Sequence, residues 1–148
     1  VLQIIQTYKD GTFRVFLPKL SIFAPYETTT CVHFPDAYLL YTVERDCIPF
    51  HQGTFEFSQI INGSMKTSTF TRDSLYEIER FEGKIDTASI RWVNDCECIL
   101  TKINPTSNQD KRPIQIKIIS TQDNSYTFEY SLVGDSKNTQ RGTIQKIQ

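Results

Sequence analysis

The sequence predicts an all-β protein: an antiparallel meander closed into a small lipocalin-like β-barrel, with a β-sandwich as the alternative. Three observations carry this. Short runs of alternating apolar and polar residues recur, each bounded by turn residues, which is how half-buried strands read. Phe and Tyr are plentiful, at 10 and 7 of 148 residues, and β-branched residues are common throughout, which suits a pleated surface better than a helix. A helical period is hard to find anywhere.

The elements follow in order. L-Q-I-I-Q-T-Y (2–8) and T-F-R-V-F-L (12–17) flank a turn at Asp10-Gly11, where glycine supplies the positive φ of a tight hairpin. K-L-S-I-F-A (19–24) is fenced by Pro18 and Pro25, and T-T-T-C-V-H-F (28–34) and A-Y-L-L-Y-T-V (37–43) come next. T-F-E-F-S-Q-I (54–60) meets M-K-T-S-T-F-T (65–71) across Asn62-Gly63, a strong hairpin signal. L-Y-E-I-E-R-F (75–81), A-S-I-R-W-V (88–93) and C-E-C-I-L-T-K-I (96–103) continue the meander. A polar loop (104–113) leads to I-Q-I-K-I-I (114–119), Y-T-F-E-Y-S-L (126–132) and G-T-I-Q-K-I (142–147). The recurring G-T-F/G-T-I at 11, 53 and 142 reads as a turn glycine opening a strand. A length of 148 residues fits a single β domain (1–148) with a sizeable core.

Charge excludes several classes of function. The chain has 16 Lys+Arg against 17 Asp+Glu, so it offers no basic footprint for nucleic acid and no polybasic membrane patch. No stretch approaches the roughly 20 apolar residues of a transmembrane segment. Gly-rich phosphate loops, nucleophile elbows, H-E-x-x-H and EF-hand patterns are missing, and no cofactor is expected.

The four cysteines are Cys31, Cys47, Cys96 and Cys98. In a strand, Cys96 and Cys98 point to one face with Glu97 on the other, and parallel side chains make a poor disulfide. Each therefore pairs upstream, as 47–96 with 31–98 or as 47–98 with 31–96. A staple closing so long a loop contributes roughly 3–4 kcal/mol in the chain-entropy model. Zinc sites built from four cysteines use two close pairs, a spacing this chain lacks, so no metal is expected. A cysteine nucleophile would need His33 or His51, and each reads more simply as an ordinary strand or surface histidine.

Other residues invite a functional reading beside a plain one. Trp92, Phe55 and Phe57 are candidates to line a cavity for a small apolar ligand, or are simply core. Glu77, Glu79, Glu82 and Asp86 are close enough to suggest acid–base chemistry, but on a solvent-facing strand such a run is a hydrated face. Asn62-Gly63-Ser64 matches an N-glycosylation acceptor that its hairpin role already explains.

E-R-D-C (44–47), G-T-F-E-F (53–57), F-E-G-K-I-D-T-A-S-I-R-W-V-N-D-C-E (81–97), D-N-S-Y-T-F-E-Y-S-L-V-G-D (123–135) and Q-R-G-T (140–143) together carry a resemblance. Residues 42–148 resemble a family of small exported proteins of flavobacteria and other Bacteroidota, often lipoproteins, of unassigned activity. Some members are labelled as a DNA topoisomerase IV subunit, which does not fit: a near-neutral chain of this size has no room for a DNA-cleaving apparatus. The resemblance implies that Cys47 pairs with Cys96 and makes a Cys98–Cys31 bridge a local addition. It also implies O-glycosylation acceptors at Ser74 and Thr87, in D-S-L and D-T-A. Relatives carry a lipid-attachment cysteine just before the E-R-D-C stretch. Here residues 1–41 read instead as an N-terminal strand extension outside the resemblance, suited to complete the barrel or to offer an edge to a partner.

The expected function is that of a non-enzymatic extracytoplasmic protein (periplasmic, on the outer-membrane surface or secreted) that binds an envelope protein partner or serves as an accessory subunit. A barrel carrier of a small apolar ligand is the second expectation. A hydrolase using the carboxylates is the last.

Overall fold

The computed structural model describes residues 45–148, and these form one closed eight-stranded barrel in simple up-and-down order. The strands are β1 (Gly53–Ile61), β2 (Ser64–Arg72), β3 (Tyr76–Phe81), β4 (Lys84–Asn94), β5 (Glu97–Lys102), β6 (Ile114–Gln122), β7 (Ser125–Leu132) and β8 (Gln140–Lys146). Every neighbouring pair is antiparallel, and β1 pairs with β8 to complete the ring. All eight strands expected over this region are present, and the barrel replaces the sandwich alternative. The strand readings at 2–8, 12–17, 19–24, 28–34 and 37–43 lie outside the described residues.

Two corrections follow at once. The ring closes between Gly53 and Lys146, so residues 1–41 are not needed to complete the barrel. Gly142 does not open a strand but lies inside β8: a Cβ there would come within 2.7 Å of Phe57 Cε2, so only glycine lets that ring pack so closely.

Turn chemistry sets the hairpins. Asn62 and Gly63 both adopt positive φ (50° and 77°), as the expected two-residue turn requires. Glu82-Gly83 does the same between β3 and β4 (47° and 77°), with glutamate in a conformation that L-residues avoid.

The core fills the ring. Phe55 and Phe57 of β1, Phe70 of β2, Leu100 of β5, Ile114, Ile116 and Ile118 of β6, and Tyr126 and Phe128 of β7 are all essentially buried. Alternation accounts for this, because odd or even positions of each strand turn inward together. The ring has two ends. One gathers the start of β1, the β2–β3, β4–β5 and β6–β7 turns and the end of β8; residues 45–52 run across it. The far end carries the β1–β2 and β3–β4 turns and the longer connections at 103–113 and 133–139.

Candidate functional site

At the first end, residues 45–52 form a strap whose centre is a short 3-10 helix, Ile48–Phe50, with Pro49 in its first turn. Proline suits that position, where its missing N–H has no partner to lose. Phe50 drops into the barrel, 2 % exposed, and meets Tyr126 edge-on at 5.1 Å. The Cys47–Cys96 disulfide ties the strap to the β4–β5 turn. Polar links do the rest. Arg45 Nη1 donates to the Ile118 carbonyl at 3.1 Å and Lys146 Nζ to the Pro49 carbonyl at 2.6 Å. The Asp46 amide donates to Thr121 Oγ1 at 3.2 Å, and His51 Nε2 lies 2.7 Å from the Asp95 carbonyl.

Beneath the strap sits the charged heart of the interior. Arg72 is 2 % exposed, and its Nε and Nη2 donate to Glu77 Oε2 at 2.9 and 2.7 Å, while Nη1 donates to the Phe50 carbonyl at 3.1 Å. Aromatic rings surround the guanidinium: Phe70 at 5.2 Å, Phe55 at 5.3 Å and Trp92 at 5.7 Å from Cζ to ring centroid. Such faces stabilise a cation electrostatically. Burial opposes the charge on Arg72, but the Glu77 carboxylate that accepts two of its hydrogen bonds holds the group cationic. Burial pushes the Cys98 thiol up to about 12 against the pull of Arg72, so it stays protonated and unreactive. The Tyr126 hydroxyl is likewise raised by burial; it lies near enough to Arg72 to feel its charge, without a hydrogen bond of ordinary geometry.

The sequence-predicted residues divide sharply. The 47–96 pairing forms, with Cys96 in the turn rather than in β5, so the two nearby cysteines part company. Cys98 is a buried free thiol, and its expected partner Cys31 lies outside the described residues, as does His33. Phe55, Phe57 and Trp92 do face the interior, but there they pack on side chains: Phe55 stacks on Phe70 at 5.1 Å, Phe57 meets Phe128 at 5.6 Å, and Trp92 stacks on His51 at 3.6 Å.

The carboxylates are a correction. Glu77 and Glu79 are completely buried, not part of a hydrated face, because β3 turns Glu77, Glu79 and Phe81 inward together. Asp86 pairs with Lys102 at 2.9 Å, and Glu82 sits on the outer turn with Lys66. Glu79 and Asp86 stand directly opposite one another in the β3–β4 register, whereas Arg72 holds Glu77 and Glu82 lies apart on its turn. Lys102 also reaches Asp110 at 3.6 Å. Although burial works the other way, hydrogen bonds from Ser107 and Thr106, with the charge of Lys102, lower the Asp110 carboxyl to about 2. Ser74 is exposed in the β2–β3 turn, next to Asp73, whose carboxylate accepts from the Leu75 and Tyr76 amides. Thr87 is half-buried within β4.

Sequence reasoning missed Arg72, and the available signal was slight: a charged residue at an inward position of β2, with Glu77 opposite it on the next strand. Among the described residues no group of three or more His, Cys, Asp or Glu side chains could hold a metal ion, and no helix is long and apolar enough to cross a membrane. Comparison with protein-family models, with curated proteins and with solved structures returns no match.

Proposed function

We propose that this chain is a non-enzymatic binding or accessory protein of an extracytoplasmic compartment, and that it recognises a protein partner with its outer surface. The observation that carries the reading is the cross-strand pair Ile60 and Met65, 58 % and 65 % exposed and directly opposite one another in the β1–β2 register. Contiguous exposed apolar surface is where partner proteins dock, and this pair supports such a use. The interior supports the same reading. Arg72 and Glu77 hold one another and the strap, and the aromatic residues that would line a ligand cavity pack on their neighbours.

The disulfide supports an oxidising compartment, since a reducing cytosol keeps thiols free. Exposed Ser74 is the better placed of the two glycosylation acceptors.

Titration with an apolar fluorescent naphthalene sulfonate tests the choice between surface binding and carriage. The expected result is no saturable quenching of Trp92. Stoichiometric quenching, displaced by a fatty acid, would overturn the reading in favour of a carrier. Intact mass after blocking free thiols, on chain from its native source, tests the compartment: Cys47 and Cys96 should escape the blocking reagent.

A further inference from the structure

The chain that precedes the barrel is richer in apolar residues than the barrel itself. Of residues 1–44, 23 are Ala, Val, Ile, Leu, Phe, Tyr or Cys, more than half, against 39% apolar for the whole sequence. Disorder requires low hydrophobicity, so a stretch of this composition does not rest in water. Nor does a unit of this length bury enough of its own surface to fold alone without staples, and Cys31 has no second cysteine within it. It needs another surface, and it joins the described chain at Arg45, on the strap.

The strap end offers that surface. Ile48, on the strap itself, is 54% exposed. Leu75 in the β2–β3 turn, Val93 near the end of β4 and Ile147 just past β8 stand round the same end, each at least half exposed. The bonds of the strap fix this arrangement. Lys146 Nζ donates to the Pro49 carbonyl beside Ile147, Arg72 at the head of the Leu75 turn donates to the Phe50 carbonyl, and the bridge to Cys96 lies just beyond Val93.

Charge points the same way. Each of the three turns at this end carries an exposed aspartate, Asp73, Asp95 and Asp123, and the strap adds Asp46. Two basic residues of this end, Arg45 and Lys146, already hold the Ile118 and Pro49 carbonyls. Residues 1–23 carry Lys9, Arg14 and Lys19 against Asp10 alone. The far end leans basic once the Lys66–Glu82 and Lys102–Asp86 pairs are set aside, with Lys84, Lys111, Arg112 and Lys137 against Asp110 and Asp135. Residues 24–44 reach up to roughly 70 Å when extended, ample for a fold-back.

We propose that residues 1–44 fold back over the strap end, setting the basic, apolar stretch 1–23 against Ile48, Leu75, Val93, Ile147 and the turn aspartates. The strap is then an inner layer of the protein, and the wall bearing Ile60 and Met65 is left for a partner.

A zero-length carbodiimide reagent tests this on the full chain. It joins a lysine amine to a carboxylate as an amide, the carbodiimide taking up the water that is lost, and so records groups in ion-pair contact. Peptide mass mapping should find Lys9 or Lys19 joined to Asp46, Asp73, Asp95 or Asp123. In the double variant Leu75→Lys, Ile147→Lys these links should fall at least tenfold, and trypsin should cut after Arg14 and Lys19 at least tenfold faster. Both positions are exposed, so the barrel stays folded, which circular dichroism checks. Links from these lysines to acids of the far end, or none to the barrel, overturn the proposal. Links found only between differently isotope-labelled copies also overturn it and identify a second copy as the occupant. So do links and cleavage that the double variant leaves unchanged. The Ile60 and Met65 surface plays no part in these readouts, so the protein-binding reading is tested separately.

Discussion

Replacing Arg72 by methionine would strand Glu77, completely buried, without the two hydrogen bonds it now accepts. Breaking one side of a buried pair costs about 3–5 kcal/mol, whereas replacing both partners by apolar groups of similar size is often close to neutral. Urea denaturation should therefore show a large loss for Arg72→Met and a substantial recovery when Glu77→Leu is added. Glu82 predicts the opposite sign. It sits at φ 47° in a turn, and its pair with Lys66 is exposed enough to contribute little. Glu82→Asn should raise the urea midpoint, at unchanged slope, by about 0.5–1 kcal/mol of stability. Asp110 gives a pH test. Its folded carboxyl is lowered to about 2, so its contribution is complete above the ordinary carboxylate range and is lost as pH falls from about 4 to about 2. Asp110→Asn should flatten the acid limb of stability over that window. At this scale the sequence was least legible: the same alternation in L-Y-E-I-E-R-F allows either face of β3 to turn inward. Arg72, waiting on the next strand, decides it.

Strands were far more legible than side-chain roles. Local patterning places each hydrophobic alternation, and Asn-Gly fixes a hairpin with no tertiary information, so the eight strands and the β1–β2 turn follow from short windows. Closure does not follow that way, because which strands meet at the seam depends on the accumulated tilt of the whole ring. Gly142 shows the difference. Its sequence context suggests a strand start, while its position is set by Phe57, a residue on the opposite edge of the sheet. Gly142→Ala is expected to cost about 1–3 kcal/mol through overpacking, read as a lower melting temperature with unchanged circular dichroism. The strap was legible only through its cysteine, since neither the 3-10 turn nor the inward Phe50 has a periodic signature.

For the molecule as a whole, the disulfide closes a loop over a sequence separation of 49 and contributes about 4 kcal/mol on the chain-entropy model. The double substitution Cys47→Ser, Cys96→Ser should lower stability by about 2–4 kcal/mol, with the rest of the strap's polar links still in place. The same bond has a mechanical consequence. Tension applied upstream of Cys47 does not peel β1 from the ring; it passes through the sulfur bridge to Cys96, at the head of β5. β1 to β4 lie inside the covalent loop, so load reaches them only through the β1–β8 and β4–β5 ladders and does not extend them. Stretched end to end, the oxidised protein should therefore yield roughly 160 Å less contour than the reduced one, at about 3.4 Å for each residue short-circuited. Half of the barrel is spared from stretching, and it is the half that includes the Ile60 and Met65 pair.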